Sequence, residues 1–299
     1  MLWLVATGAA VAVAAAAVTR RRSVRRFQAL KRELSARAVR SDGIIDGAEP
    51  LALDAVGNRC ALVLHGFNDA PQSVRALAVA LHARGWSVRV PLLPRHGRSF
   101  EELAVRGSAP EWIAHARDEW RAVRAQCSHA VLIGQSMGGA IGVILAAESP
   151  PAAVALLAPY LRMGALARTL SYVWPLWALV TPRLFANPQR GFRDAAARAR
   201  SLGHGAFTPR LVRELRRVVD SAKPALPAVQ VPALVVHSRR DYRISSSSAA
   251  WAFAHLGSAD KKLVWRDGAG HVLVADAGKD EVFALVGDWL DGHATGASD

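Results

Sequence analysis

Three residues that together could form a nucleophilic catalyst occur in a suggestive order along this chain. Ser136 lies in a Gly-x-Ser-x-Gly pattern at residues 134–138, and Asp241 and His271 follow it. A serine hydroxyl becomes a strong nucleophile when a histidine takes its proton and a carboxylate orients that histidine. The pattern alone is weak evidence, because about one chain in ten of this composition would contain it by chance. Its secondary-structure context therefore decides its meaning.

The elements around Ser136 favour a catalytic interpretation. The apolar run at residues 130–133 predicts a strand, and residues 137–147 predict a helix. Small residues beside the serine allow the chain to turn sharply from strand to helix. Such a turn exposes the hydroxyl at a helix N-terminus, where developing negative charge is stabilised. We predict that Ser136 is the nucleophile.

Asp241 and His271 follow later predicted strands, at residues 233–236 and 261–266. In a doubly wound sheet, the acid and the histidine of such a site come after the serine in this order. We predict that His271 is the base and that Asp241 orients it, with Asp267 as the alternative carboxylate. The other nine histidines fit less well, because they lie inside helices, at the wrong edge of the sheet or in the tail.

The negative charge of an acyl-transfer intermediate needs two fixed hydrogen-bond donors. The N–H of Met137, directly after the serine, is one candidate. The N–H of Phe67 is the other, because it follows the predicted strand at residues 60–64 in the sequence His65-Gly66-Phe67. We expect His65 chiefly to brace this loop rather than to act as a base. The predicted substrate contacts are His65, Phe67, Trp174 and Trp177.

Short apolar runs alternate with helical patterns from residue 50 onward. This alternation predicts an α/β fold with a mostly parallel, doubly wound sheet covered by helices on both faces. Residues 50–160 and 226–292 form its predicted core. The predicted strands cover residues 60–64, 86–93, 130–133, 154–157, 233–236 and 261–266, and the predicted core helices cover residues 71–84, 111–125, 137–147, 245–256 and 279–290.

About 75 residues separate the strand that ends at Leu157 from the strand that starts at Ala233, whereas a crossover needs about a dozen. The surplus predicts a helical cap at residues 161–225, with helices over 161–184, 192–202 and 208–221. Its apolar part, residues 170–180, either forms ordinary helix core or offers apolar surface to a lipid-like substrate or a membrane. Pro175 and Pro182 argue against a second membrane span.

Residues 1–18 contain no charged side chain, and arginines follow at once. We predict a single-pass transmembrane anchor over residues 1–19 and a basic juxtamembrane segment over residues 20–49. Because the positive charge lies only after the apolar stretch, the body is expected in the cytoplasm. The alternative is a cleaved signal peptide and an exported body.

Composition excludes several classes of protein. A hydrophobic content of 52% excludes a disordered chain. The net charge of +14 is concentrated in residues 1–40, which hold nine Lys or Arg and one Glu, so we expect contact with membrane and no nucleic-acid partner. The chain has no phosphate-binding, dinucleotide or zinc-protease motif, and no metal or cofactor is predicted.

Cys60 and Cys127 are expected to be buried thiols, with a disulfide favoured only if the body is exported. Residues 293–299 are the predicted tail.

The motifs together resemble the bacterial carboxylesterase and monoacylglycerol lipase branch of the α/β hydrolases. The resemblance covers residues 50–292. It implies Ser136, Asp241 and His271 as a triad, with Phe67 and Met137 as oxyanion donors. Arg95 departs from it, because this branch usually has glycine before His-Gly. The motifs that carry it are His-Gly-Phe at 65–67, Pro-Leu-Leu-Pro-Arg-His-Gly at 91–97, Trp112, Gly-Gln-Ser-Met-Gly-Gly at 134–139 and Gly-His at 270–271.

Three functions are compatible with these residues. The first is a serine hydrolase that cleaves carboxylic esters through an acyl-enzyme, with apolar acyl or monoacylglycerol-like substrates. The second is a peptidase of the proline-iminopeptidase type, in which Glu214 or Asp194 would bind the free amine. The third is a non-catalytic, membrane-tethered binding module built on a hydrolase fold.

Overall fold

A computed structural model describes residues 2–187 and 191–294, so parts of the predicted cap and most of the predicted tail lie outside the described residues. Within these ranges the chain forms eleven α-helices and nine strands. The helices are α1 (Leu2–Ser35), α2 (Arg75–Ala83), α3 (Phe100–Arg106), α4 (Ala109–Gln126), α5 (Met137–Glu148), α6 (Ala165–Tyr172), α7 (Trp174–Val180), α8 (Ala195–Arg200), α9 (Pro209–Ala225), α10 (Ser246–His255) and α11 (Lys279–Gly292). The strands are β1 (Leu51–Leu53), β2 (Arg59–Leu64), β3 (Ser87–Val90), β4 (His129–Gln135), β5 (Val154–Leu157), β6 (Leu184–Phe185), β7 (Ala206–Phe207), β8 (Ala233–Ser238) and β9 (Lys261–Arg266).

Seven of the described strands form one sheet in the order β1-β3-β2-β4-β5-β8-β9. β1 pairs antiparallel with β3, and the remaining neighbours pair parallel. β5 and β8 consist wholly of buried residues, because helices cover both faces of the sheet. The predicted α/β fold with a mostly parallel sheet is confirmed. Parallel pairing brings the carboxyl ends of β4, β8 and β9 to one edge of the sheet.

The far edge of the sheet differs from the prediction. β3 ends at Val90, although the sequence predicts a strand over 86–93, because Pro91 has no N–H to continue the ladder. β1 adds an antiparallel strand that the sequence analysis did not identify. Three residues are too few to produce a recognisable periodicity, so only pairing with β3 reveals this strand.

The segment between β5 and β8 holds α6 to α9 and a small hairpin of β6 and β7. The prediction of one helix over residues 161–184 is wrong. The chain breaks at Val173, and α7 begins at Trp174 with Pro175 in its first turn, where proline is tolerated but cannot continue the preceding helix. In α9 the buried carboxylate of Glu214 accepts the Ala109 N–H at 3.1 Å, which joins this segment to α4.

α1 runs without interruption from the predicted anchor into the basic segment. Its second half packs against the body, where the ring of Phe27 lies 4.6 Å from that of Phe100. The Ser23 hydroxyl donates to the Arg183 carbonyl at 2.8 Å. Among the described residues, no helix combines the length and the apolar character that crossing a membrane requires. The anchor over residues 1–19 therefore stays a prediction.

Cys60 and Cys127 form a disulfide with their Cα atoms 5.8 Å apart, so the expectation of two buried thiols is wrong. Cys60 lies at the start of β2, and Cys127 lies just before β4. These strands pair in parallel from Arg59 and His129 onward, which brings their first residues together. Strand adjacency thus places the two sulfur atoms within bonding reach.

Candidate active site

Ser136 occupies the sharp turn between β4 and α5. Its backbone has φ 56° and ψ −115°, a conformation that is strained for a residue with a side chain and persists only where the surrounding chain enforces it. A Cβ atom on Gly134 would lie 2.3 Å from the Gly138 carbonyl oxygen, and a Cβ atom on Gly138 would lie 2.3 Å from the Leu64 carbonyl oxygen. Both glycines are needed for the chain to close this tightly.

The structure brings Ser136, His271 and Asp241 into one line of hydrogen bonds. His271 Nε2 lies 2.9 Å from Ser136 Oγ, and His271 Nδ1 lies 2.7 Å from Asp241 Oδ2. Each residue comes from the carboxyl end of a different strand, so the order of strands in the sheet decides the contact. The carbonyl of His271 also accepts a hydrogen bond from Gln135 Nε2 at 3.0 Å, which fixes the loop that carries the imidazole.

Asp241 is buried and held by its own loop. Its Oδ1 accepts the N–H groups of Arg243 and Ile244 at 2.8 and 2.9 Å. Burial alone would raise the pKa of Asp241, but the proximity and hydrogen bond of His271, together with the Ile244 N–H and nearby His237, lower it. The carboxylate is therefore ionised at neutral pH, the state that favours a cation on the neighbouring imidazole.

The two predicted oxyanion donors flank Ser136. Met137 is the first residue of α5, and its N–H therefore has no acceptor within the helix. Phe67 follows β2, the strand beside β4 in the sheet. Gly66 keeps this loop close to the serine, since a Cβ atom on it would lie 3.4 Å from Ser136 Cβ.

Of the remaining predicted site residues, the structure places only some at the cavity that contains Ser136 and His271. His65 is fully buried, its Nε2 accepts the Leu93 N–H at 3.1 Å, and it does not line the cavity. Burial lowers the pKa of His65 to about 4, so this histidine is neutral and suits bracing. Asp267, the alternative carboxylate, lies 3.6 Å from Arg239 instead. Trp177 lines the cavity, whereas Trp174, one turn earlier in α7, does not.

A cavity of about 970 Å³ opens at Ser136 and His271 beneath the cap. α1 contributes part of its wall through Leu30 and Leu34, which the sequence analysis assigned to a basic segment outside the core. Nothing in the sequence near residue 30 links it to residue 136, so only the folded chain reveals this role. Most of the described side chains around the cavity are apolar, among them Phe67, Met163, Leu170, Trp177 and Phe207.

Three polar residues near the site escaped the sequence analysis. Asp276 is buried and accepts the N–H groups of Arg193, Asp194 and Gly270 at 2.8, 2.7 and 2.6 Å, which joins the cap to the loop before His271. Asp69 and Arg243 both line the cavity. Isolated charged residues in loops carry no periodicity or motif, so no sequence signal distinguished them.

Comparison with known proteins agrees with this geometry. The profile of the family described as "Serine aminopeptidase, S33" matches residues 58–278, which include Ser136, Asp241 and His271. The chain belongs to this family. The match begins just before β2 and ends before α11, so the S33 region comprises most of the sheet and the whole cap.

Relatives of this S33 protein carry names from lipid and ester chemistry. It is 24% identical over 245 residues to a thermostable monoacylglycerol lipase of Bacillus sp. (strain H-257), covering 78% of this chain and 90% of the relative. It is 23% identical over 244 residues to a carboxylesterase of Bacillus subtilis (strain 168), covering 79% and 93%. The resemblance to this branch of the α/β hydrolases is confirmed.

Solved structures give the same fold for this S33 protein. A structure from work on the metagenome-derived lipolytic enzymes LipS and LipT superposes with a TM-score of 0.76 at 26% identity, covering 84% of this chain and all of that one. A monoglyceride lipase of Saccharomyces cerevisiae, solved with a substrate analogue, superposes with a TM-score of 0.66 at 17% identity, covering 82% and 91%. The second likeness concerns the fold alone.

Proposed function

We propose that this S33 protein is a serine hydrolase that cleaves carboxylic esters with apolar acyl chains, of which monoacylglycerols are one class. The observation that carries the proposal is the line of hydrogen bonds from Asp241 through His271 to Ser136 at the floor of a largely apolar cavity. The lipases and esterases among the relatives add support.

The proposed reaction proceeds in two halves. His271 Nε2 takes the proton of Ser136 while Oγ attacks the ester carbonyl carbon, and Asp241 stabilises the imidazolium that forms. The N–H groups of Phe67 and Met137 hold the resulting oxyanion. The tetrahedral intermediate then expels the alcohol, which receives the proton from His271, and an acyl-enzyme is left. Water attacks this acyl-enzyme by the same route and releases the carboxylic acid and free Ser136.

The cavity supports an apolar acyl group rather than a small polar one. Leu170 and Trp177 of the cap and Leu30 and Leu34 of α1 all line a space of about 970 Å³. Each methylene group buried there is worth about 0.8 kcal/mol of binding free energy. A chain of several carbons therefore gains far more from this cavity than an acetyl group does.

The peptidase alternative loses its predicted amine-binding groups. Glu214 accepts the Ala109 N–H and lies 3.2 and 3.1 Å from Arg213 and Arg217, and it is not part of the cavity wall. Asp194 caps α8 by accepting the Ala196 N–H at 2.7 Å. The binding-module alternative expects a missing catalytic group, whereas serine, histidine and aspartate here lie in hydrogen-bonding contact.

The test is a substrate panel with the full-length protein. We expect kcat/KM for p-nitrophenyl esters to rise about fourfold for each added methylene between acetyl and medium chain lengths, since each is buried. Hydrolysis of 1-monoacylglycerols is expected, and amino-acid p-nitroanilides should not be cleaved. A Ser136→Ala preparation measures contaminating esterase. A flat profile, or cleavage of the anilides in preference to the esters, would contradict the proposal.

We further propose that the protein takes its substrate from a membrane surface. Leu166, Leu176 and Leu179 lie on the contacting cap helices α6 and α7 and are between two thirds and three quarters exposed, as an apolar docking surface requires. α1 adjoins them, because Arg20 donates to the Leu179 carbonyl at 2.7 Å. Arg21 and Arg22 directly follow Arg20 in α1 and are exposed, so they suit anionic lipid head groups.

Vesicle binding tests this second proposal. The full-length protein should sediment with phosphatidylglycerol vesicles at least about tenfold more strongly than with phosphatidylcholine vesicles, because each basic residue near the surface contributes about 1 kcal/mol. Leu176→Asp should weaken binding to the anionic vesicles. Val56→Asp, at a fully exposed position far along the chain, is the control. Equal binding to both vesicle types, or equal binding by the wild type and Leu176→Asp, would refute the proposal.

A further inference from the structure

The side chain of Arg243 is a cation in the cavity wall that no described residue pairs with. Its backbone N–H donates to Asp241 Oδ1, while its side chain lines the cavity. Within the described ranges, no hydrogen bond or ion pair engages this guanidinium. It lies against Gly191, where a Cβ atom would come within 2.6 Å of Nη2. A glycine is therefore required for the guanidinium to occupy this place.

Asp69 provides a second ionisable side chain in the same cavity, near the nucleophile. Its Oδ2 lies 3.9 Å from the position of a Cβ atom on Gly66, and Ser136 Cβ lies 3.4 Å from that same point. Burial raises the pKa of Asp69, and Ser73, the Ala70 N–H, Arg243 and His271 oppose that shift. Arg243 and Asp69 thus influence each other through space, but no ion pair joins them in the part of the chain described.

The other charges around the cavity do not satisfy Arg243. Arg37 donates to the carbonyls of Leu202 and Gly203 at 2.6 and 3.1 Å, and Glu33 lies on the same helix, α1. Burial lowers the pKa of Arg243 although Asp69 and Asp241 oppose the shift, as expected for a cation short of close partners. An arginine fork placed in this way binds carboxylate or phosphate through two parallel hydrogen bonds.

We propose that Arg243 is a specificity residue that selects esters bearing a carboxylate or phosphate group, an inference that rests on the proposed ester hydrolysis. Arg243 lies in the same loop as Asp241, two residues after it, so the anionic end of the substrate points toward that loop. When ionised, Asp69 repels an anion in the same cavity. The two charges thereby orient the substrate while the apolar cavity receives its acyl chain.

Two matched substrate pairs test the proposal in the full-length protein. One pair is 1-decanoylglycerol and its 3-phosphate, with the anion on the alcohol side. The other is p-nitrophenyl pentanoate and mono-p-nitrophenyl glutarate, in which a carboxylate replaces the terminal methyl of the acyl side. The wild type should prefer the anionic member of at least one pair, and the preferred pair identifies the source of the anion.

The variants assign that preference to Arg243. Arg243→Gln should lower the ratio of kcat/KM for the anionic member to that for the neutral member by about ten- to a hundredfold, mainly through KM. Arg243→Lys should restore part of the ratio, and Asp69→Asn should raise it, because a repelling charge is removed. Arg240→Gln removes an exposed arginine of the same loop outside the cavity wall and should leave the ratio unchanged.

The outcomes separate the two proposals. One outcome overturns the inference about Arg243 and leaves ester hydrolysis standing. In it the wild type hydrolyses and prefers both neutral esters, and the ratio of kcat/KM for the anionic member to that for the neutral member is the same in Arg243→Gln and Asp69→Asn. If no member of either pair is hydrolysed, the proposed function fails and the inference fails with it. Circular dichroism of each variant confirms its fold, and Arg243→Lys and Asp69→Asn decide the matter if Arg243→Gln does not fold.

Discussion

Ser136→Ala is expected to lower kcat for ester hydrolysis by about four to six orders of magnitude. The hydroxyl that lies 2.9 Å from His271 Nε2 is the only group in this arrangement proposed to form the acyl-enzyme. His271→Ala should cost about as much, because an unactivated serine hydroxyl is a poor nucleophile. The double variant should be no slower than either single variant, since the two residues act as one unit.

Steady-state hydrolysis and covalent labelling together measure this effect. A fluorophosphonate probe should label the wild type and leave Ser136→Ala unlabelled. Ser258→Ala is the control, because Ser258 is a buried serine that donates to the Asp260 carbonyl at 2.7 Å and does not line the cavity. If Ser136→Ala retained kcat within about tenfold of the wild type, another residue would have to be the nucleophile.

Gly138→Ala should destabilise the fold by about 3 kcal/mol or more, whereas Gly142→Ala in the same helix should stabilise it by up to about 1 kcal/mol. A Cβ atom on Gly138 would lie 2.3 Å from the Leu64 carbonyl oxygen and 2.7 Å from that of His65. Both are backbone atoms of the loop that carries Phe67, and they cannot move without displacing it. A Cβ atom on Gly142 would meet only Leu156 Cδ2, at 3.9 Å.

Urea unfolding followed by circular dichroism measures both free energies of unfolding. The two variants make the same chemical change four residues apart in α5. Helix propensity therefore favours alanine at both positions, and the surroundings make the difference. Esterase activity should fall with Gly138→Ala even where the protein stays folded, because the Phe67 N–H is displaced. Equal urea midpoints for the two variants would show that the turn between β4 and α5 has more room than its geometry indicates.

The position of Ser136 was predictable because its signal is local. An apolar strand, a run of small residues and an apolar helix are adjacent in the chain, and steric exclusion by two backbone segments explains the glycines at 134 and 138. Asp241 and His271 were predictable for a related reason. Parallel strands end at one edge of a sheet, so a residue that follows one strand lies near a residue that follows its neighbour.

The wall of the cavity was predictable only in part. The length of the segment between β5 and β8 predicts an insertion, and its apolar stretch contains Trp177, which does line the cavity. Trp174 belongs to the same stretch but lies outside the cavity wall. It is the first residue of α7, whereas Trp177 lies almost one turn further along the helix. His65 lies in the loop that carries Phe67, yet its ring is buried and its Nε2 accepts the Leu93 N–H.

The sequence by itself determined the class of fold, the meeting of Ser136, His271 and Asp241, and the presence of an insertion between β5 and β8, because each depends on short-range pattern and on the rules of parallel sheets. Only the tertiary structure decided that α1 forms part of the cavity wall, that Cys60 bonds to Cys127, and that Asp69 and Arg243 share one cavity. These contacts join residues that are distant in the chain. Their formation depends on how whole elements pack, and packing leaves no periodicity in the sequence from which it could be read.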